Sequence, residues 1–210
     1  MAARRRSKTL NKVRRLLERR KPFKTPKATI LIVCEGKKTE PIYFQALRRD
    51  RGISPGQMQI DEGEGGSHPK SVVEHAKFLK GGIEREGLIV DIVWCVFDRD
   101  DHAKIEEAFI QARDNQFQIA FSNPCFELWY LLHYQDQRSH IERKQVFSKL
   151  KKDLPQYEKS ANVYQNLSIN QSKAISRAKK LRKLHRDNQD SEMKNPSTSI
   201  DCLVSYLNSL

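Results

Sequence analysis

Three acidic side chains stand where apolar runs stop. "ILIVCEG" ends its run at Glu35, and "DIVWCVFDRDD" ends its run at Asp98, with Asp100 two residues on. In an extended segment, residues i and i+2 point to the same side, so Asp98 and Asp100 can face one partner together. Three carboxylates gathered at one edge repel one another unless a cation neutralises them. Oxygen donors of this kind suit a hard divalent ion, Mg²⁺ or Mn²⁺. Such an ion clamps phosphate oxygens and lowers the pKa of a bound water. Asp-x-Asp on its own is commonplace in surface turns. What gives it weight here is its place at the close of a buried strand, with a glutamate closing another buried strand upstream.

The elements that would bring these acids together follow from the apolar pattern. Ala28 to Cys34 and Asp91 to Phe97 are β-branched apolar runs, as expected of strands covered on both faces. Met58 to Ile60 and Gln118 to Phe121 read as weaker strands. Helical spacing follows each of them. Thr39 is placed as the N-cap of a helix with Pro41 in its first turn. Further helices fall near Lys70 to Leu79, over Ala103 to Asn115, and at the apolar "CFELWYLLHY". Alternation of this kind predicts an open, mainly parallel four-stranded sheet with helices on both faces. With strand order 2-1-3-4, Glu35 and Asp98 close adjacent strands at the switch point, where ligands bind in such sheets. From about residue 138 strand runs disappear and polar helices dominate, ending in a short helix near Thr198. The chain thus divides into an arm (1–27), an α/β domain (28–138) and a C-terminal helical extension packed on that domain (139–210).

Charge follows the same division. Lys and Arg total 39 against 26 acids, a net +13. Residues 1–27 carry 12 basic and one acidic residue, residues 28–139 carry 13 against 18, and residues 140–210 carry 14 against 7. An acidic middle between basic flanks points to a polyanionic partner, DNA or RNA. The arm also places Leu10, Val13, Leu16 and Leu17 at helical spacing, a stripe that a partner could order. Candidate backbone contacts are Lys37 and Lys38 at the start of the first helix, where N–H groups point outward, and Lys173, Arg177, Lys180 and Arg182 in the basic stretch 173–186. Both groups read equally well as solvated faces.

Other residues carry two readings. Glu127 lies in a strongly apolar helix, where an unpaired acid is costly. It is either functional or salt-bridged, or a first-turn acid favoured by the helix dipole. His133 reads as a core histidine before a proton carrier. Asp101 and His102 sit at the rim of the acidic cluster. Glu62 and Glu64 belong to a glycine-rich loop that reads as solvated, and Lys159 in "YEKS" is a distant candidate for balancing phosphate charge. The four cysteines have no Cys-x-x-Cys spacing, so a structural zinc site is not expected, and two of them lie inside expected strands, a usage that fits a reducing cytoplasm. No stretch is apolar enough for a membrane span. Dinucleotide and P-loop glycine motifs are missing, which argues against dinucleotide binding and against an ATPase in this chain.

Taken together, "ILIVCEGKKTEPIYF", "VWCVFDRDDH", "FSNPCFELWYLLHY" and the later "NPST" resemble the RloB-like proteins, encoded near bacterial restriction and phage-defence genes. That family is in turn similar to the Toprim domain of topoisomerases, primases and OLD-family nucleases. The resemblance implies a Toprim-like fold. It also implies Mg²⁺-dependent phosphodiester cleavage in antiphage defence, with an ATPase partner of the OLD or ABC kind. It maps Glu35 onto the Toprim glutamate, a general acid/base or metal ligand, and Asp98 and Asp100 onto the metal-binding Asp-x-Asp. Glu127 matches a further acid of the family motif and joins the catalytic set. A non-catalytic module that binds nucleic acid or a partner is the competing expectation.

Overall fold

The computed structural model describes residues 28–63, 68–99, 105–191 and 193–210. The basic arm, Asp100, Asp101, His102 and Glu64 lie outside the described residues.

Strands β1 (Ile30–Cys34), β2 (Met58–Asp61), β3 (Ile92–Asp98), β4 (Gln118–Asn123) and β5 (Ser197–Thr198) form one sheet in the order β2-β1-β3-β4-β5. The first four are parallel, and β5 runs antiparallel to β4. The expected 2-1-3-4 order therefore stands, with a fifth strand added. That strand pairs only Ser197 and Thr198 with Asn123 and Ser122. Two polar residues carry no apolar alternation, so the sequence pattern offered nothing to mark them.

Every residue of β1 is buried, and its side chains divide by parity. Ile30, Ile32 and Cys34 enter one apolar layer with Trp94, Val96 and Ala120. Leu31 and Val33 enter the other with Val93, Cys95, Phe97 and Phe121. This is the period-2 alternation of a strand covered on both faces. Helices α2 (Pro69–Arg85) and α3 (Ile105–Asp114) cover the second layer. The first is covered by α1 (Thr39–Asp50), α4 (Glu127–Tyr134), α6 (Tyr164–Ser168), α7 (Gln171–Asp187) and α8 (Ile200–Asn208). Helix α5 (Arg143–Asp153) packs beside α4 and adds Leu150 to that layer.

The extension is continuous with the core of the α/β part. Tyr157, Leu167, Ala174, Ile200 and Leu203 share one apolar cluster with Phe44, Phe126 and Trp129, and β5 joins the sheet itself. No described helix is long and apolar enough to cross a membrane.

Two local details differ from expectation. Lys38, not Thr39, holds the N-cap position of α1 and makes no side-chain cap. The Thr39 hydroxyl instead donates to the Lys159 carbonyl (3.0 Å), tying the first helix to the extension. Helix α2 begins at Pro69, close to the expected Lys70, behind a reciprocal capping box between His68 and Ser71, and runs past the expected Leu79 to Arg85.

Candidate functional site

β1 and β3 are neighbours, and their carboxyl ends meet. The Glu35 N–H donates to the Val96 carbonyl (2.8 Å), extending the ladder one residue past β1. The Glu35 carboxylate then turns across to β3, where Oε2 accepts from the Asp98 N–H (3.0 Å). The pair that the sequence set at adjacent strand ends is therefore in direct contact, through one backbone donor.

The Asp98 side chain is largely buried. Its Oδ2 lies 3.6 Å from Arg143 Nη2, and its Oδ1 is buried with no hydrogen-bond partner among the described residues. Burial holds its carboxyl well above the usual range. The neighbouring charges of Glu40 and Glu127, and more weakly Glu35, push the same way, and Arg143 opposes them. Glu127, the first residue of α4, is 3% exposed. Its Oε1 accepts from the Tyr157 hydroxyl (3.0 Å), the hydrogen bond an acid in an apolar helix requires.

Glu40 is the fourth member, and sequence reasoning missed it as a site residue. It occupies the first turn of α1 and is 7% exposed. Burial, reinforced by Glu127, pushes its carboxyl up to about 7, while its own backbone N–H, Lys159 and Arg143 pull it down. Its carboxylate occupies the space beside Gly36, where a Cβ would run into it. Gly36 therefore leaves room for an acid of this chain. Gly63 is equally constrained: a Cβ there would collide with the Cys34 and Glu35 carbonyls, so the loop after β2 is pressed onto the end of β1.

Glu35, Glu40, Asp98 and Glu127 thus converge at the carboxyl edge of the sheet, all from the α/β part. The compensating cations come from the extension. Arg143 opens α5 and also donates to the Pro124 carbonyl (3.3 Å). Lys159 holds its ammonium 5.6 Å from the Phe147 ring centroid and acts on Glu40. Arg143 carried no sequence signal, because nothing links its helix to Asp98 before the chain folds back. Asp100 is not among the described residues. Among those that are, no three His, Cys, Asp or Glu side chains are grouped so as to hold a metal ion.

The remaining candidates scatter. Lys37 and Lys38 are exposed beside the acidic edge, and Lys173 and Lys180 are exposed on α7. Two of the four cations expected to point outward from α7 point inward. Arg177 donates to the Leu132 carbonyl (2.7 Å) and lies 3.5 Å from Asp136. Arg182 donates to the Thr198 carbonyl (2.7 Å) and pairs with Asp201, which is fully buried. A buried aspartate needs such a partner, so Arg182 is a core cation. His133 is buried on α4. Glu62 is exposed and accepts from Gln45 (3.0 Å).

The family model described as RloB-like protein matches residues 30–207, and the chain belongs to that family. No curated protein and no solved structure matches it.

Proposed function

We propose that this RloB-like protein is a Mg²⁺- or Mn²⁺-dependent phosphodiester nuclease of the Toprim type. It would act on DNA or RNA in bacterial antiphage defence under the control of an ATPase partner of the OLD or ABC kind. One observation carries the chemistry: four carboxylates share the carboxyl edge of a parallel sheet, and one of them, Asp98, keeps a buried oxygen without a hydrogen-bond donor among the described residues. An orphaned buried carboxylate oxygen is costly. Hard oxygen donors in excess of the local positive charge fit a divalent cation. Glu35 and Asp98, with Asp100 two residues on, would hold the ion, and Glu40 and Glu127 would set the charge around it. When bound, it would supply Lewis acidity at phosphorus and an activated water.

The chain's own residues divide the remaining work. The Tyr157 hydroxyl fixes the orientation of Glu127. Arg143, at Asp98, and Lys159, near Glu40, are placed to balance charge on a phosphate brought to the same edge. Lys37, Lys38, Lys173 and Lys180 remain available for the nucleic-acid backbone.

The test is a cleavage panel of single- and double-stranded DNA and RNA with Mg²⁺, Mn²⁺ or EDTA. Metal-dependent cutting is expected from the wild type and none from Asp98→Ala or Glu35→Ala. Wild-type rates in both variants would remove the site assignment. The competing reading, a non-catalytic module that binds nucleic acid or a partner, draws on the lack of a three-residue metal group among the described residues. It is favoured if calorimetry detects no Mg²⁺ or Mn²⁺ binding and no substrate is cut.

A further inference from the structure

Helix α5 starts inside the carboxylate site and leaves it. Five of its eleven residues are Lys or Arg, and the sole acid, Asp153, is its last residue. Val146 and Leu150 turn inward. Lys144, Ser148, Lys151 and Lys152 are all exposed, at positions i, i+4, i+7 and i+8, which form one stripe along a helix. At 1.5 Å per residue, the lysines of that stripe span roughly 12 Å. Several lysines elsewhere on the surface are paired: Lys70 with Glu107, Lys80 with Glu84, Lys183 with Asp187 and Lys194 with Asp190. Among the described residues, Lys144, Lys151 and Lys152 have no acidic partner of this kind.

The stripe has a direction. Arg143, one residue before Lys144, reaches Asp98, and Lys159 rests on Phe147 of the same helix. A cationic line therefore begins at the carboxylates and runs outward. We propose that the outer face of α5 seats the sugar-phosphate backbone of a nucleic-acid strand, carrying it away from the carboxylate edge. This rests on the nuclease reading for the position of the scissile bond. One strand of a duplex carries a charge about every 3.4 Å of axis, so roughly 12 Å of helix faces about three phosphates, one for each lysine. Lysine contacts of this sort fix position and affinity and carry no sequence information.

The experiment uses the full chain in EDTA, with fluorescein-labelled DNA and RNA, single- and double-stranded, and anisotropy read across about 50 to 200 mM salt. The variant is Lys144→Gln, Lys151→Gln, Lys152→Gln. A charge-matched control carries Lys77→Gln, Lys183→Gln and Lys194→Gln, and thermal unfolding verifies that both retain the fold. Each lost lysine–phosphate contact flattens the log–log salt slope by roughly 0.7 to 0.9. The α5 variant is therefore expected to lose about two to three in slope, and to bind about 100-fold more weakly near 100 mM salt. The control is expected to keep the wild-type slope. An unchanged slope in the α5 variant, an equal loss in the control, or a wild type that binds no strand overturns the proposal. A parallel Mg²⁺ cleavage assay separates the two ideas. Binding through α5 without any cleavage removes the nuclease reading alone, and cleavage with unaltered binding in the α5 variant removes the α5 track alone.

Discussion

Acid should destabilise this protein through His133. Its Nδ1–H donates to the Trp129 carbonyl (2.8 Å), its ring packs edge-on against the Trp129 ring at 4.7 Å, and its Nε2 is buried without a partner among the described residues. Burial lowers its pKa to about 4, helped by the Arg177 guanidinium and opposed by backbone hydrogen bonds. In the unfolded chain the same imidazole titrates near its ordinary value of about 6.5. The unfolded state therefore takes up a proton first. Stability falls as pH drops below about 6.5, and the loss is complete below about 4. The full term is about 3 kcal/mol, of which about 2 kcal/mol is lost by pH 5. For a chain of this size that is roughly 4–8 °C in Tm. Glu40 and Asp98 act in the opposite sense, since carboxyls held above their usual range favour the folded state on acidification. A difference measurement isolates the histidine. His133→Asn keeps a donor near the Nδ1 position and removes the titration. Thermal unfolding of both proteins at pH 7.5 and pH 5 should show the wild type losing about 4–8 °C more than the variant over that interval. Equal losses would refute a buried neutral His133 and reopen it as a group that gains and loses protons in the folded state.

Three further outcomes follow from the same geometry. Asp98→Asn should abolish metal-dependent cleavage yet raise metal-free stability at pH 8 by on the order of 1 kcal/mol, because it relieves repulsion with Glu40 and Glu127; urea denaturation and the cleavage panel read the two effects separately. Gly63→Ala should cost roughly 1–3 kcal/mol in the same denaturation assay and lower cleavage, since its methyl group must displace the carbonyls that lead into Glu35. Arg182→Ala should cost about 3–5 kcal/mol by stranding the buried Asp201 carboxylate, whereas Lys180→Ala should shift stability by less than about 0.5 kcal/mol.

The parallel sheet was legible because β1 and β3 are apolar on both faces, and few other structures tolerate such runs. Glu35 and Asp98 were legible because they close those runs, and Glu127 because an acid in "CFELWYLLHY" must find a partner. Glu40 was not. An acid beside a helix-starting proline satisfies local rules by itself, and only its burial against Gly36 and Asp98 reveals it. Arg177 and Arg182 misled for the complementary reason. In a stretch dense with lysine and arginine, composition does not distinguish the cations that face solvent from those that neutralise a carbonyl or a buried aspartate. Arg143 and Tyr157 depend wholly on the extension folding back against α1 and α4, a tertiary fact with no local signature, and the same fold-back brings in Lys159, a distant candidate from the sequence.

That division between acids and cations bears on why the site exists. A fold selected only for stability would replace four converging carboxylates with apolar or amide side chains, because buried like charges oppose folding and a buried ion pair rarely outperforms good packing. Here the acids remain and are only partly compensated. Arg143 is itself partly exposed and lies 3.6 Å from Asp98, Tyr157 offers a neutral hydroxyl to Glu127, and Lys159 opposes the upward shift at Glu40 without removing it. Burial first, and the neighbouring acids after it, hold the Asp98 and Glu40 carboxyls above their usual range. More basic side chains at the edge would have removed the shortfall of positive charge permanently. On the proposed nuclease reading, leaving it in place would make the folded edge attractive to a cation that comes and goes. The cations that are present sit on the extension, at the start of a helix whose outer face carries more of them. Negative charge on the sheet edge and positive charge on α5 therefore adjoin at Asp98 and Arg143, the pairing that the proposed nuclease reading would need to hold a metal ion and a phosphate side by side.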